Sequence, residues 1–178
     1  MDYILRKAAL DDRPAISRLI EMSARGLSRQ DYSDQQIEEA INTIFGVDSE
    51  LIKDGTYFVA ETGMLLVGCG GWSCRRTLFG GDQYTGRESA ELDPSHEAAR
   101  IRAFFVHPEW ARMGIGRAIL ERCEQEAREE GFSSLELMAT LPGLKFYRSL
   151  GYTGSERVTY ELGGGTTIDF VPMRKELA

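Results

Sequence analysis

A chain of 178 residues, 42% hydrophobic and 28% charged, is long enough to bury one core and too apolar to be a disordered segment. Its net charge of −7 argues against general nucleic-acid binding, which needs a basic face, and no stretch approaches the roughly 18 apolar residues of a membrane span. Three cysteines (Cys69, Cys74 and Cys123) form no CxxC pair, and their odd number fits reduced thiols in the cytoplasm better than a disulfide framework.

In chain order, "DYILRKA" reads as a first strand. In "LDDRPAISRLIEMSA", Asp11 and Asp12 stand as caps and Pro14 lies in the first turn of a helix. Ile16, Leu19, Ile20 and Ser23 or Ala24 then recur at helical spacing. After the polar "RGLSRQDY", Ser33 and Gln36 form a capping box for a second helix that buries Ile37, Ala40, Ile41, Ile44 and Phe45. "TYFVAE" and "MLLVGCGGW" are strands joined by a tight turn at Thr62-Gly63.

The segment 73–99 is long, polar and without period, a length at which loops are functional or disordered. "RIRAFFVHP" is a strand stopped by Pro108. Gly114 to Glu130 is the clearest helix, with Ile115, Ile119, Cys123 and Ala127 four apart on one face and Gly131 just past its end. "SSLELMAT" is a strand, and "PGLKFYRSLG" a short helix ended by Gly151. "SERVTYEL" and "TTIDFVPMRKEL" close as a hairpin around Gly163-Gly164-Gly165. The order β-α-α-β-β-β-α-β-α-β-β describes one α/β domain, a mixed sheet with helices on both faces and an inserted loop at about 73–99. A parallel pair is expected where a helix crosses between strands.

In "PEWARMGIGRAIL", Gly114 and Gly116 sit where that long helix begins, flanked by Arg112 and Arg117. A helix start offers unpaired N–H groups and a positive dipole end, so phosphate binds there when no side chain bars its approach. Glycine removes the bar and arginine adds charge. The pair also suits a close helix–strand contact. A dinucleotide fingerprint would need glycine where Ile119 stands, and a Walker loop would need a Gly-Lys-Ser/Thr that is missing. Tyr147, in "KFYRSLGY", follows Gly116 by 31 residues.

Together "FFVHPEWARMGIGRAIL", "LELMAT" and "FYRSLGY" resemble the GNAT superfamily of acyl-CoA-dependent N-acyltransferases, whose signature runs V-x-P, Q/R-x-x-G-x-G/A, helix, strand and F-Y-x-x-x-G-F/Y. The resemblance implies a mixed, mostly antiparallel sheet of about seven strands flanked by about four helices. It departs at Ala111, where Gln or Arg is usual, and at Thr140, where an asparagine often contacts the cofactor.

What the resemblance implies is an acetyl-CoA-dependent N-acetyltransferase acting on an amine of a small molecule or protein, with no metal. The strand before the glycine loop would bulge and leave its neighbour, and Phe104 to Val106 would line a gap for pantetheine. Cofactor contacts would come from Phe105, Val106, Arg112, Met113, Gly114, Ile115, Gly116, Arg117 and Thr140. The N–H of Phe105 or Val106 would face the oxyanion, and Tyr147 would protonate the departing thiolate. Glu97, His96, His107 (read as an exposed turn residue) and a water chain all stand as routes for the amine proton. Tyr32, in the first helix–helix linker, and Arg102, on the pre-loop strand, are the expected acceptor contacts. "RRTLFGGDQYTGRE" either folds over the acceptor side or stays a solvated loop. Neither nucleic acid nor membrane is an expected partner, and a homodimer is an allowed assembly. Rival readings are a non-catalytic acyl-CoA sensor, which would need no proton donor at Tyr147, and a thiol enzyme built on one of the cysteines and a histidine.

Overall fold

The computed structural model describes residues 2–178. Its sheet is built from β1 (Ile4–Lys7), β2 (Tyr57–Thr62), β3 (Leu65–Ser73), β4 (Ala99–Val106), β5 (Ser134–Thr140), β6 (Val158–Gly163) and β7 (Thr166–Glu176). The helices are α1 (Arg13–Leu27), α2 (Asp34–Thr43), α3 (Ser49–Asp54), α4 (Ile115–Glu129) and α5 (Leu144–Ser149). The seven strands lie in the order β1-β2-β3-β4-β5-β7-β6, and only β4–β5 is a parallel pair. That pair is the one bridged by α4, as a helical crossover requires.

Local chemistry sets the helices. Ser33 accepts from the Gln36 amide while the Gln36 side chain accepts from the Ser33 amide, so the capping box starts α2 as expected. On α4, Ile115, Ile119, Cys123 and Ala127 are all buried against the sheet. With α5 they cover one face, where Phe58, Val67, Trp72, Ile101 and Leu135 form the core. On the other face α1, α2 and α3 bury Ile16, Ile20, Ile37 and Leu51 against Val59, Cys69 and Phe170.

Two features differ from the sequence reading. There are five α-helices rather than about four, because α3 forms between an Asp48 side-chain cap and Gly55 in the left-handed region at φ 74°. The β2–β3 turn sits at Gly63-Met64, one residue later than Thr62-Gly63. The segment 73–99 is ordered against the body. Within it Arg75 bridges Glu91, Thr77 bonds Glu88, and Leu92 N–H donates to the Cys74 carbonyl at 2.7 Å. Its tip is tied down where Gly81 N–H donates to Ile44 O at 2.7 Å and Asp82 N–H to Val47 O at 2.9 Å.

Candidate active site

β4 and β5 are paired only at Ala99–Leu135 and Arg100–Glu136. Beyond those residues they part, so β4 keeps only β3 and β5 keeps only β7 as hydrogen-bonded neighbours. The parting begins at a bulge, where the β3–β4 register shifts between Cys69 and Gly71. At the bulge Ala103 takes φ 57°, a left-handed conformation costly for a residue with a Cβ. The Tyr57 hydroxyl donates to the Ala103 carbonyl at 3.1 Å, and the Cys69 thiol reaches the same oxygen at 3.7 Å.

The bulge decides which β4 amides are free. His107 N–H donates to Val67 O at 2.9 Å, so alternation turns the Phe105 amide to β3 and the Val106 amide to the opening. Of the two amides expected to face an oxyanion, Val106 therefore faces the splay, where Ser23 Oγ accepts from it at 3.3 Å. Phe105 contributes its ring instead, edge-on to Phe45 with centroids 5.6 Å apart.

At the head of α4, Gly114 is the N-cap with φ 86°, and a Cβ there would meet nothing within 4 Å. The first backbone bond of the helix runs from Ala118 N–H to Gly114 O, leaving the amides of Ile115, Gly116 and Arg117 without an intrahelical acceptor. Arg112 (φ 63°), Met113 and Arg117 are exposed around this tip. Arg117 also donates to Glu121 at 2.8 Å. At Gly116 a Cβ would lie 3.1 Å from the Phe146 ring, so this glycine lets α5 pack close to the helix tip.

Tyr147, on α5, is buried between Phe104, Phe146 and Tyr152, all edge-on to its ring. Its hydroxyl makes no hydrogen bond among the described residues. Burial raises the phenol well above its ordinary value, and the neighbouring Cys123 adds to the effect. Tyr147 and Thr140 line a cleft at the splay together with Phe104, Phe105, Met138 and Phe170.

Five residues expected near the acceptor or on the proton route are held as follows. Tyr32 is buried outside the cleft lining, and its hydroxyl donates to Asp169 O at 2.6 Å and accepts from Leu141 N–H at 2.9 Å. Arg102 lines the cleft but is held from behind by Asp48 at 2.9 Å and Glu50 at 3.2 Å, with its side chain 1% exposed. Its Nε and Asp48 Oδ2 have no hydrogen-bond partner among the described residues. His107 is buried rather than exposed, and its Nδ1 accepts from the Glu109 amide at 3.1 Å. Glu97 is bound to Arg76 at 2.7 Å, and His96 is 80% exposed beside Asp93. Neither reaches the cleft lining.

The thiols are poor nucleophiles. Cys69 and Cys123 are buried, which pushes Cys69 up to about 12 and Cys123 well above its ordinary value, and burial raises Cys74 as well. Among the described residues, no group of three or more His, Cys, Asp and Glu is placed to hold a metal ion. No helix among them is long and apolar enough to cross a membrane.

Sequence reasoning missed Tyr57 and Ser23, which bond the β4 backbone, and the rings of Phe45, Phe79 and Phe170, which line the cleft. They come from separate elements, and no local motif links them.

The acetyltransferase (GNAT) domain family model matches residues 53–154 of this chain. The chain belongs to the GNAT acetyltransferase family. The matched span runs from the end of α3 through the bulge, the glycine loop and α5. No curated protein matches the chain. Among solved structures, a GCN5-related N-acetyltransferase from Rhodopseudomonas palustris is 19% identical, with 99% of this chain and 97% of that one covered, at a TM-score of 0.72. The PaiA N-acetyltransferase from Thermoplasma acidophilum, solved with coenzyme A, is 16% identical over 99% of both chains at a TM-score of 0.66. The yncA protein from Salmonella typhimurium, solved with its cofactor acetyl-CoA, is 18% identical over 100% of this chain and 95% of that one, at a TM-score of 0.63. At such identities these likenesses show that the GNAT fold extends over the whole chain.

Proposed function

We propose that this GNAT protein is a cytoplasmic acetyl-CoA-dependent N-acetyltransferase that moves an acetyl group directly to an amine. The observation that carries the reading is the parting of β4 from β5 beyond Arg100, with an open helix tip at Gly114 and, among the described residues, a phenol without a hydrogen-bond partner at Tyr147.

The residues fit coenzyme A. The free amides of Ile115 to Arg117 would hold its pyrophosphate beside Arg112 and Met113, over a Gly114 that offers no side-chain obstacle. The backbone edges of β4 and β5, with Thr140 at the end of β5, would flank the pantetheine arm as added strands do. Bound acetyl-CoA supplies the thioester.

The remaining tasks fall to the chain. The cleft carries no carboxylate or imidazole among its described lining residues, so the ammonium proton leaves to solvent and a neutral amine attacks the carbonyl carbon. The Val106 N–H, on exchanging Ser23 Oγ for the carbonyl oxygen, would stabilise the negative charge that develops there. A C–N bond forms, the C–S bond breaks, and Tyr147 gives its proton to the departing sulfur. The second nitrogen proton returns to the Tyr147 oxygen through water, leaving an N-acetyl amine and free coenzyme A thiol. Burial keeps the Tyr147 phenol protonated at neutral pH, so it enters the reaction as a donor and not as a base.

An acetyl-CoA and amine assay read by thiol release, with mass spectrometry of the acceptor, tests this. The reading requires thiol release that depends on the amine and yields a stoichiometric N-acetyl product. Tight acetyl-CoA binding with no product from any amine would favour a sensor instead.

A further inference from the structure

On the α1–α2 face, the compartment at the splay is walled by aromatic rings. Six rings (Phe45, Phe79, Tyr84, Phe105, Tyr160 and Phe170) form one connected cluster of edge and tilted contacts with centroids 4.7–6.4 Å apart. Four of them (Phe45, Phe79, Phe105 and Phe170) line the cleft that also reaches Tyr147. Phe79 arrives from the segment 73–99, whose tip is clamped by the Gly81 and Asp82 amides and by Gln83 Nε2 on Phe45 O at 2.9 Å.

The charge pattern of this compartment is selective. Arg102 is the one charged side chain among the described lining residues, and Asp48 and Glu50 already face its guanidinium. No lining carboxylate is present to meet a second ammonium, and the one cation is neutralised from behind. A polyamine or an amino acid would have to strip water from a charge and receive no free counter-ion. An aromatic body meets ring edges and faces at no such cost.

On the reading of the previous subsection, we infer that the acceptor is an arylalkyl primary amine, with its aromatic body held by Phe79, Phe105 and Phe170 and its nitrogen directed through the splay toward the Tyr147 side. The same apolar walls favour the neutral amine over the ammonium. The compartment thereby does part of what a general base would otherwise do.

The test is a comparison of kcat/KM for phenethylamine, spermidine, glutamate and a short peptide with a free N-terminus, at saturating acetyl-CoA. Phenethylamine should exceed each of the others by about 100-fold or more. Phe79→Ala should lower kcat/KM for phenethylamine by about 10-fold or more, Phe79→Leu by less, while calorimetry gives both variants the wild-type acetyl-CoA dissociation constant. That constant also shows that each variant is folded. Preference for spermidine, glutamate or the peptide would overturn the inference and leave the acetyltransferase reading standing. So would equal phenethylamine kinetics in all three proteins. Failure of wild-type protein to bind acetyl-CoA would overturn both together.

Discussion

The Tyr57 hydroxyl donates to the Ala103 carbonyl at 3.1 Å, joining two strands 46 residues apart in sequence. That carbonyl belongs to a residue at φ 57°, a conformation that costs about 1–2 kcal/mol for an L-residue with a Cβ. The bond therefore holds the distortion from which β4 turns away from β5. Tyr57 is wholly buried, so Tyr57→Phe keeps the packing and removes only the donor. Urea unfolding should show a loss of about 1 kcal/mol, and acetyl-CoA should bind several-fold more weakly. Unchanged affinity with the stability loss would mean the bulge persists without its tether.

Tyr147→Phe isolates the proton donor. The ring contacts with Phe104, Phe146 and Tyr152 survive the change. Steady-state kinetics should show kcat lower by about 10-fold to 100-fold, with the acetyl-CoA dissociation constant as in wild type. Wild-type turnover in this variant would remove Tyr147 from the chemistry.

Arg102→Met removes one cation from a buried cluster in which Asp48 is fully buried. Burial already pushes the Asp48 carboxyl up, against the pull of Arg102 and Arg87. With Arg87 as its remaining ion-pair partner at 3.0 Å, Asp48 should make the variant less stable by about 3 kcal/mol in urea unfolding. Asp48→Asn in the same background should recover part of that loss. A lone Arg102→Met of wild-type stability would contradict the burial argument.

Acid sensitivity has a named source at the first strand. Arg6 donates to both Asp12 oxygens at 2.8 and 2.9 Å and holds that carboxyl below its ordinary 3.8, with the Ala9 amide assisting. The unfolded chain thus takes up a proton near pH 4 that the folded chain refuses, and the pair's contribution is whole above about pH 4. It is lost as pH falls through the lowered folded value. Asp12→Asn should lower stability at neutral pH and flatten its fall below about pH 4 in urea titrations. An equally steep acid limb in the variant would assign the sensitivity elsewhere.

Much of the fold was legible because its signals are local. The Ser33–Gln36 box, the four-residue spacing from Ile115 to Ala127 and the glycines at 114 and 131 act within one or two turns of chain. The six residues of α3 are too few for a period to register, although the cap at Asp48 and the stop at Gly55 were both present. The strained Ala103 left no mark, since alanine is not a residue that advertises positive φ. His107 looked like a turn residue and proved a buried cap, because what covers it is tertiary. The aromatic compartment draws on residues at 45, 79, 105 and 170 that only the completed sheet brings together.

Calorimetric titration of acetyl-CoA into wild-type protein and Gly114→Val reads the account where it is most exposed. At φ 86° and with open space beyond its Cα, position 114 should admit a phosphate as glycine and refuse it as valine. Saturable one-to-one binding by the wild type, weakened about 10-fold or more by the variant, is the expected result. No wild-type binding, or equal affinity in the two proteins, would contradict it.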